Sequence, residues 1–267
     1  MGFQMSIPQG QCYDDPWILL PRGDAAIQPD PEQLGLQIET IERVEPLDAQ
    51  IGVFPKKTVP DALHTALFGQ PSLTAAEMKA AGGDPAAVPP VRTYAILDAA
   101  KICDLPELLG RSGLEHRCLF TGSAQQKMAE VASWLVRLED GNSFTRDLFT
   151  RSEAHWHLWD LHAAVFLRSH APLDEVWRHF RRFTQIRDVT DKWLFFRFYA
   201  PDTLRGLLHG LGGPQMADLM GPAKLICCTD GEDRLLVVRK LGSGTINQVR
   251  FAAATLRQPD VARAMHA

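Results

Sequence analysis

Hydrophobic and polar positions follow two rhythms along this chain, and they change near residue 90. Before that point apolar residues come in short groups. An extended run is predicted near Leu36–Val44 and a helix near Asp61–Phe68, with prolines at Pro8, Pro16, Pro21, Pro29, Pro31, Pro46, Pro55 and Pro60. Proline lacks an amide donor and restricts the residue before it, so this spacing interrupts long helices and central strands. Ala80-Ala81-Gly82-Gly83-Asp84-Pro85 through Pro89-Pro90 reads as a linker. Residues 1–90 are accordingly expected to form a proline-rich extension or small lobe.

From Val91 the pattern tightens into alternating element types. Val91–Leu97 is an apolar, β-prone run ending at Asp98. Asp104 is a candidate N-cap for a short helix built on Leu105, Leu108 and Leu109, which Gly110 or Gly113 can close. Strands are predicted at Arg117–Phe120, Trp134–Leu138 and Ala163–Leu167, with helices at Ala124–Ala132 and Phe144–Phe149. The best-defined helix starts at Pro172, with Leu173, Val176, Trp177, Phe180, Phe183 and Ile186 at steps of three and four. Its other side carries Asp174, Arg178, Arg181 and Arg182. Trp193–Tyr199 reads as a strand broken by Pro201, followed by helices at Thr203–Leu211 and Gln215–Met220. A hairpin then pairs Lys224–Thr229 with Arg234–Arg239 through the turn Asp230-Gly231, and a weak helix is expected in the last ~25 residues. Strands alternating with helices predict an α/β fold: a mixed sheet with flanking helices over 91–213, and a C-terminal hairpin and tail over 214–267.

Composition narrows the function. The 267 residues are 45% hydrophobic with a net charge of −4, which argues against a nucleic-acid-binding protein. Five cysteines (Cys12, Cys103, Cys118, Cys227 and Cys228) form no Cys-x-x-Cys pair, which suits a reducing compartment. Adjacent Cys227 and Cys228 should point to opposite faces of a strand. Neither a secretory leader nor a run of ~18 apolar residues is present, so the expectation is a cytoplasmic protein without a membrane partner.

His155-Trp156-His157-Leu158-Trp159-Asp160-Leu161-His162 is the most tempting chemical motif, since three imidazoles and a carboxylate can ligate zinc or iron. Compared with the His-x-His-x-Asp-His signature of metallo-β-lactamase-like hydrolases, it has an extra residue before Asp160 and another before His162. Neither a helix nor a strand puts all three histidines on one face. The plainer reading is an aromatic segment packing Trp156 and Trp159. A metal-dependent hydrolase is the alternative function this run would serve. Gly210-Leu211-Gly212-Gly213 follows a helix rather than a strand, and Gly242-Ser243-Gly244-Thr245 lacks the lysine of a phosphate loop. No Gly-x-Ser-x-Gly elbow anchors a catalytic triad. No catalytic residue, metal ligand or cofactor is assigned.

On a strand over 193–199, Trp193, Phe195, Arg197 and Tyr199 would share one face. An arginine among aromatics needs a partner, either an internal salt bridge to a residue such as Asp98 or a partner-facing role. The internal bridge is favoured, because strands of this composition are interior. The candidate partner-binding residues are Arg178, Arg181, Arg182, Trp193, Arg197 and Tyr199.

Read in order, several segments resemble one family: Tyr94-Ala95-Ile96-Leu97-Asp98-Ala99, Leu119-Phe120-Thr121-Gly122, Trp134-Leu135-Val136, Phe166-Leu167-Arg168-Ser169, the helix from Leu173, and Phe196-Arg197-Phe198-Tyr199-Ala200-Pro201. They are similar to the effector adaptors of type VI secretion known as Tap or TEC proteins, over about 94–208. One departure is Ala200, where that family usually has an acidic residue. The resemblance implies a non-catalytic adaptor that binds a toxin effector protein and loads it onto the secretion spike protein.

Overall fold

The computed structural model describes residues 36–187, 192–211, 213–231 and 233–240. Cys12, the first five prolines, Gly212, the Gly242–Thr245 turn and the C-terminal helix lie outside these residues.

Seven strands form one sheet: in chain order β1 (Leu36–Ile41), β2 (Arg92–Asp98), β3 (His116–Cys118), β4 (Ser133–Leu138), β5 (Ala164–Ser169), β8 (Leu225–Thr229) and β9 (Leu235–Lys240). Their spatial order is β1-β9-β8-β5-β2-β4-β3. A separate ribbon pairs β6 (Gln185–Arg187) with β7 (Trp193–Phe195). The expected α/β architecture with flanking helices is present. The strands expected to make a mixed sheet all pair antiparallel, a choice that hydrophobic periodicity does not encode.

Side-chain alternation divides the core into two layers. On β2, Ala95 and Leu97 face one side, where they meet α1 (Asp61–Phe68), α3 (Leu105–Ser112) and α5 (Ser143–Leu148) through Leu63, Leu67, Leu105, Leu109 and Leu148. Tyr94 and Ile96 face the other side, toward α6 (Leu173–Phe180), α7 (Pro201–Gly210) and α8 (Gly213–Met220). Cys227 and Cys228 are both buried and join opposite layers, as adjacent strand residues must. Burial pushes both thiols up, Cys228 to about 12. The hairpin forms as predicted, with Gly231 at φ 78° supplying the left-handed turn residue.

Residues 36–90, read from the sequence as an extension, are joined to this core. β1 pairs with β9 along its full length, and α1 packs Leu63 and Leu67 against the sheet. Arg168 on β5 secures the junction. It is 3% exposed and donates to three backbone carbonyls, Ala66 (3.1 Å), Gly69 (2.6 Å) and Val91 (3.2 Å). Two of these lie at the C-terminal end of α1, where a cation also meets the negative end of the helix dipole. Across the linker, α2 (Ala75–Ala80) is held by a capping box between Thr74 and Glu77.

Three local expectations are corrected. Asp104 stands at the N-cap position in a left-handed conformation (φ 53°), and its carboxylate makes no capping bond. The helix from Pro172 ends at Phe180, tightens into a 3₁₀ turn over Arg181–Thr184, and leaves Ile186 on β6. Thr184 sits at this change: its hydroxyl donates to the Arg181 carbonyl, while its own carbonyl accepts the Phe196 amide, just past the end of β7. The strand expected over Trp193–Tyr199 stops at Phe195, and Phe198 and Tyr199 lie in the turn entering α7. Phe198 is drawn inward there by ring contacts with Phe180 and Phe183.

Candidate partner-binding surface

The amphipathic pattern of α6 buries Trp177 against the sheet, where its indole N–H donates to the Cys118 carbonyl at 2.7 Å. Two guanidinium groups lie over this ring, Arg117 at 3.5 Å and Arg181 at 4.6 Å from the centroid. Arg117 also pairs with Asp174 at 2.7 Å. Arg178 donates to the Asp174 backbone carbonyl and Arg181 to the Thr121 hydroxyl, both at 3.3 Å. Arg182 reaches Asp218 at 3.2 Å. Beside it, burial pushes the His179 imidazole below its usual range, and the nearby Arg182 adds to this effect.

An aromatic strip continues from the arginines. Phe120, next to Thr121, stacks on Phe195 with ring centroids 5.5 Å apart. Trp193, Leu194 and Phe195 are 38%, 38% and 53% exposed, so the β6–β7 ribbon presents apolar side chains on both faces. Contiguous exposed apolar surface beside arginine is the composition of an interface core.

Of the six candidate residues, Arg178, Arg181, Arg182 and Trp193 are exposed on this side of the molecule. Arg197 is half-exposed and bonds the buried Asp98. Tyr199 is 3% exposed and belongs to the interior; burial and the Asp98 carboxylate push its hydroxyl up. Sequence reasoning missed Arg117 and Trp177 as a stacked pair. Their only sequence signal was a lone arginine opening a short strand.

The histidine run takes another shape. Residues 155–162 form a loop with a 3₁₀ turn at Trp159–Leu161. Trp159 packs on Phe149, whereas Trp156, expected to pack as well, is 49% exposed. His157 accepts from or donates to Ser152 at 2.5 Å, and His162 is left-handed (φ 44°). The cavity that His162 and Trp159 line measures about 10 Å³, close to the lower limit for one water. Among the described residues, no group of three or more His, Cys, Asp or Glu is placed to hold a metal ion. Among the same residues, no helix is long and apolar enough to cross a membrane.

The structure therefore defines a three-layer α/β protein, helices on both faces of one antiparallel sheet, carrying an arginine–aromatic surface on one side. Within it, residues 93–218, from β2 into α8, match the family model described as a domain of unknown function, DUF4123. No curated protein and no solved structure matches the chain.

Proposed function

We propose that this chain is a non-catalytic adaptor that binds a toxin effector of the type VI secretion system and loads it onto the secretion spike protein. The observation that carries this reading is the DUF4123 match over 93–218, because that domain is associated with type VI secretion effectors. The match coincides with the order of short segments from Tyr94 to Leu208 that resembles the effector adaptors.

The physical mechanism is stoichiometric docking. The effector covers the apolar strip of Phe195 and Leu194, while carboxylates on its surface meet Arg178 and Arg181. Among the described residues, the hydrogen bonds of both arginines go to a backbone carbonyl and a hydroxyl rather than to a carboxylate. Arginine and aromatic anchors of this kind carry most of the energy at protein interfaces. The adaptor acts in the cytoplasm of the producing cell and needs no cofactor and no nucleic acid.

The test is co-expression with a toxin encoded beside this gene, followed by purification without nucleotide or metal. A complex of fixed ratio is expected. Separate elution of the two proteins at micromolar concentration would overturn the adaptor reading.

A further inference from the structure

Outside the matched domain, on the layer opposite the arginine–aromatic surface, the loop between β1 and α1 carries the most exposed apolar residues among those described. Ile51 is 90% exposed, Val53 51% and Phe54 94%. Folding alone gives no reason to put three such side chains within four residues at a loop tip.

The loop is nevertheless firmly built. Leu47 is tied at both backbone groups, its amide donating to Phe149 and its carbonyl accepting from Arg151, each at 2.8 Å. Gln50, only 6% exposed, closes the base: its side-chain carbonyl accepts from the Lys57 amide at 2.6 Å and its side-chain amide donates to the Lys57 carbonyl at 3.0 Å. Gly52 supplies the left-handed residue at the tip (φ 74°), and beyond its chain neighbours no atom lies within 4 Å of where a side chain would start. The result is a pre-organised apolar finger.

Beside the finger the surface is concave. A cleft of about 440 Å³ runs between the loop stem and the start of α1, with Pro46, Leu47, Pro55 and Pro60 among its walls. That volume lies within the roughly 300–1,000 Å³ of pockets that enclose small ligands, so it can take an aromatic side chain. Phe54 does not fill its own cleft, since its ring is almost wholly in solvent.

A protrusion and a matching recess side by side on one face are what a two-fold interface requires, because each copy then offers its finger to the other's cleft. The charges agree. Arg43 and Lys57 line the cleft together with Glu45, Asp48 and Asp61, so the rim carries both signs and offers charges of either sign to pair with a second copy's rim. An anionic bilayer is the wrong occupant. Residues 42–61 hold four carboxylates (Glu42, Glu45, Asp48, Asp61) against three cations (Arg43, Lys56, Lys57), one negative charge in excess. We infer that two copies of this chain associate by reciprocal insertion of the Ile51–Phe54 finger into the cleft beside the other copy's finger.

The contact is small beside a standard interface of roughly 1,600 Å², so a micromolar dimer is expected. Sedimentation of the full chain from ~1 to ~200 µM should show the mass rising from one chain to two. Phe54→Ser, which removes the finger tip, and Ala62→Arg, which fills the cleft, should each weaken association by at least ~30-fold while the melting temperature stays put. Mixing the two variants restores one finger–cleft pair, so the mixture should associate more tightly than either variant alone. A chain monomeric at ~200 µM, or a dimer indifferent to both substitutions, would overturn the inference. So would a monomer whose Phe54→Ser variant loses a co-purifying protein, which would assign the finger to that partner. Effector binding by a monomeric chain would leave the adaptor reading standing while this inference fails.

Discussion

Arg197 and Asp98 form an ion pair with one member in water and the other sealed in the fold. The Asp98 carboxylate, at the end of β2, is fully buried, and the Arg197 guanidinium, from the turn after β7, keeps about half its surface exposed. The pair joins the ribbon segment to the sheet, and the Arg197 guanidinium is held charged by Asp98 beyond its already high range. Arg197→Met leaves a buried carboxylate without its cation. The expected loss is about 2–3 kcal/mol, below the 3–5 of a fully enclosed pair because solvent already reaches Arg197. Denaturant unfolding checks this, and adding Asp98→Asn to the variant should recover part of the loss. An unchanged midpoint for Arg197→Met alone would show the pair to be energetically idle.

Arg168 should be the more damaging site. Burial, and then the charge of Arg239, push its guanidinium down to about 10, and among the described residues it bonds three carbonyls and no carboxylate. Arg168→Met strips the Ala66 and Gly69 carbonyls of this donor, leaves Val91 only its bond from the Gln70 side-chain amide, and should cost about 3 kcal/mol, with early hydrogen exchange in α1. Arg168→Lys should rescue little, because one ammonium cannot span carbonyls that a planar fork reaches. Full rescue by lysine would contradict this geometry.

Glu77 makes stability depend on acid. Burial by itself would raise its carboxyl, but the Lys224 ammonium, Thr74 and His170 overcome this and hold it at about 2 against an ordinary 4.5. Between these values the unfolded chain binds the proton and the folded one does not. The stabilisation is therefore complete above pH ~4.5 and is lost as the pH falls toward 2, by on the order of 1–2 kcal/mol. Glu77→Gln should flatten the acid limb of a stability–pH curve between these values. An identical acid limb would place the acid sensitivity elsewhere.

Phe195 separates docking from folding. With 53% of its surface exposed, it contributes little to the core, so Phe195→Ser should melt within about 2 °C of the parent. Its effector affinity should fall by roughly 30-fold or more, as at a buried hot spot. Calorimetry on the purified pair measures both quantities, and undiminished affinity would move the interface off the ribbon.

The histidine run should prove dispensable. Substituting His155→Ala, His157→Ala and His162→Gly together is expected to leave effector binding intact. The glycine relieves the left-handed strain at His162, worth about 1 kcal/mol. Elemental analysis should find below ~0.1 equivalent of zinc or iron; about one equivalent would favour the metal-dependent hydrolase instead.

What the sequence could reveal depended on how local the cause was. The helix Asp61–Phe68 and the Asp230-Gly231 hairpin turn follow from neighbours in the chain, and both stand where expected. The opposite orientations of Cys227 and Cys228, and Asp98 as the partner of Arg197, follow from strand geometry and the cost of a bare charge. The end of α6 at Phe180 was hidden, because Phe183 and Ile186 keep helical spacing while Thr184 bonds Phe196, which only the fold brings near. Trp177 under two arginines was hidden for the same reason: Arg117 arrives from a strand far away in sequence. The exposure of Ile51 and Phe54 contradicts their hydropathy outright, so no periodicity could foretell it.

The position of Arg168 bears on how this protein can be cut. The matched stretch 93–218 holds β5, β2, β4 and β3, which are contiguous in the sheet, but β8, β9 and β1 come from outside it. A fragment trimmed to the match would bare the long edge of β5, an invitation to sticky pairing between molecules. It would also keep Arg168 while discarding Ala66, Gly69 and Val91, the three carbonyls that make its burial tolerable. The smallest portable piece is therefore larger than the recognisable one, and anyone transplanting this domain must carry the strand from Leu36 and the helix from Asp61 along with it.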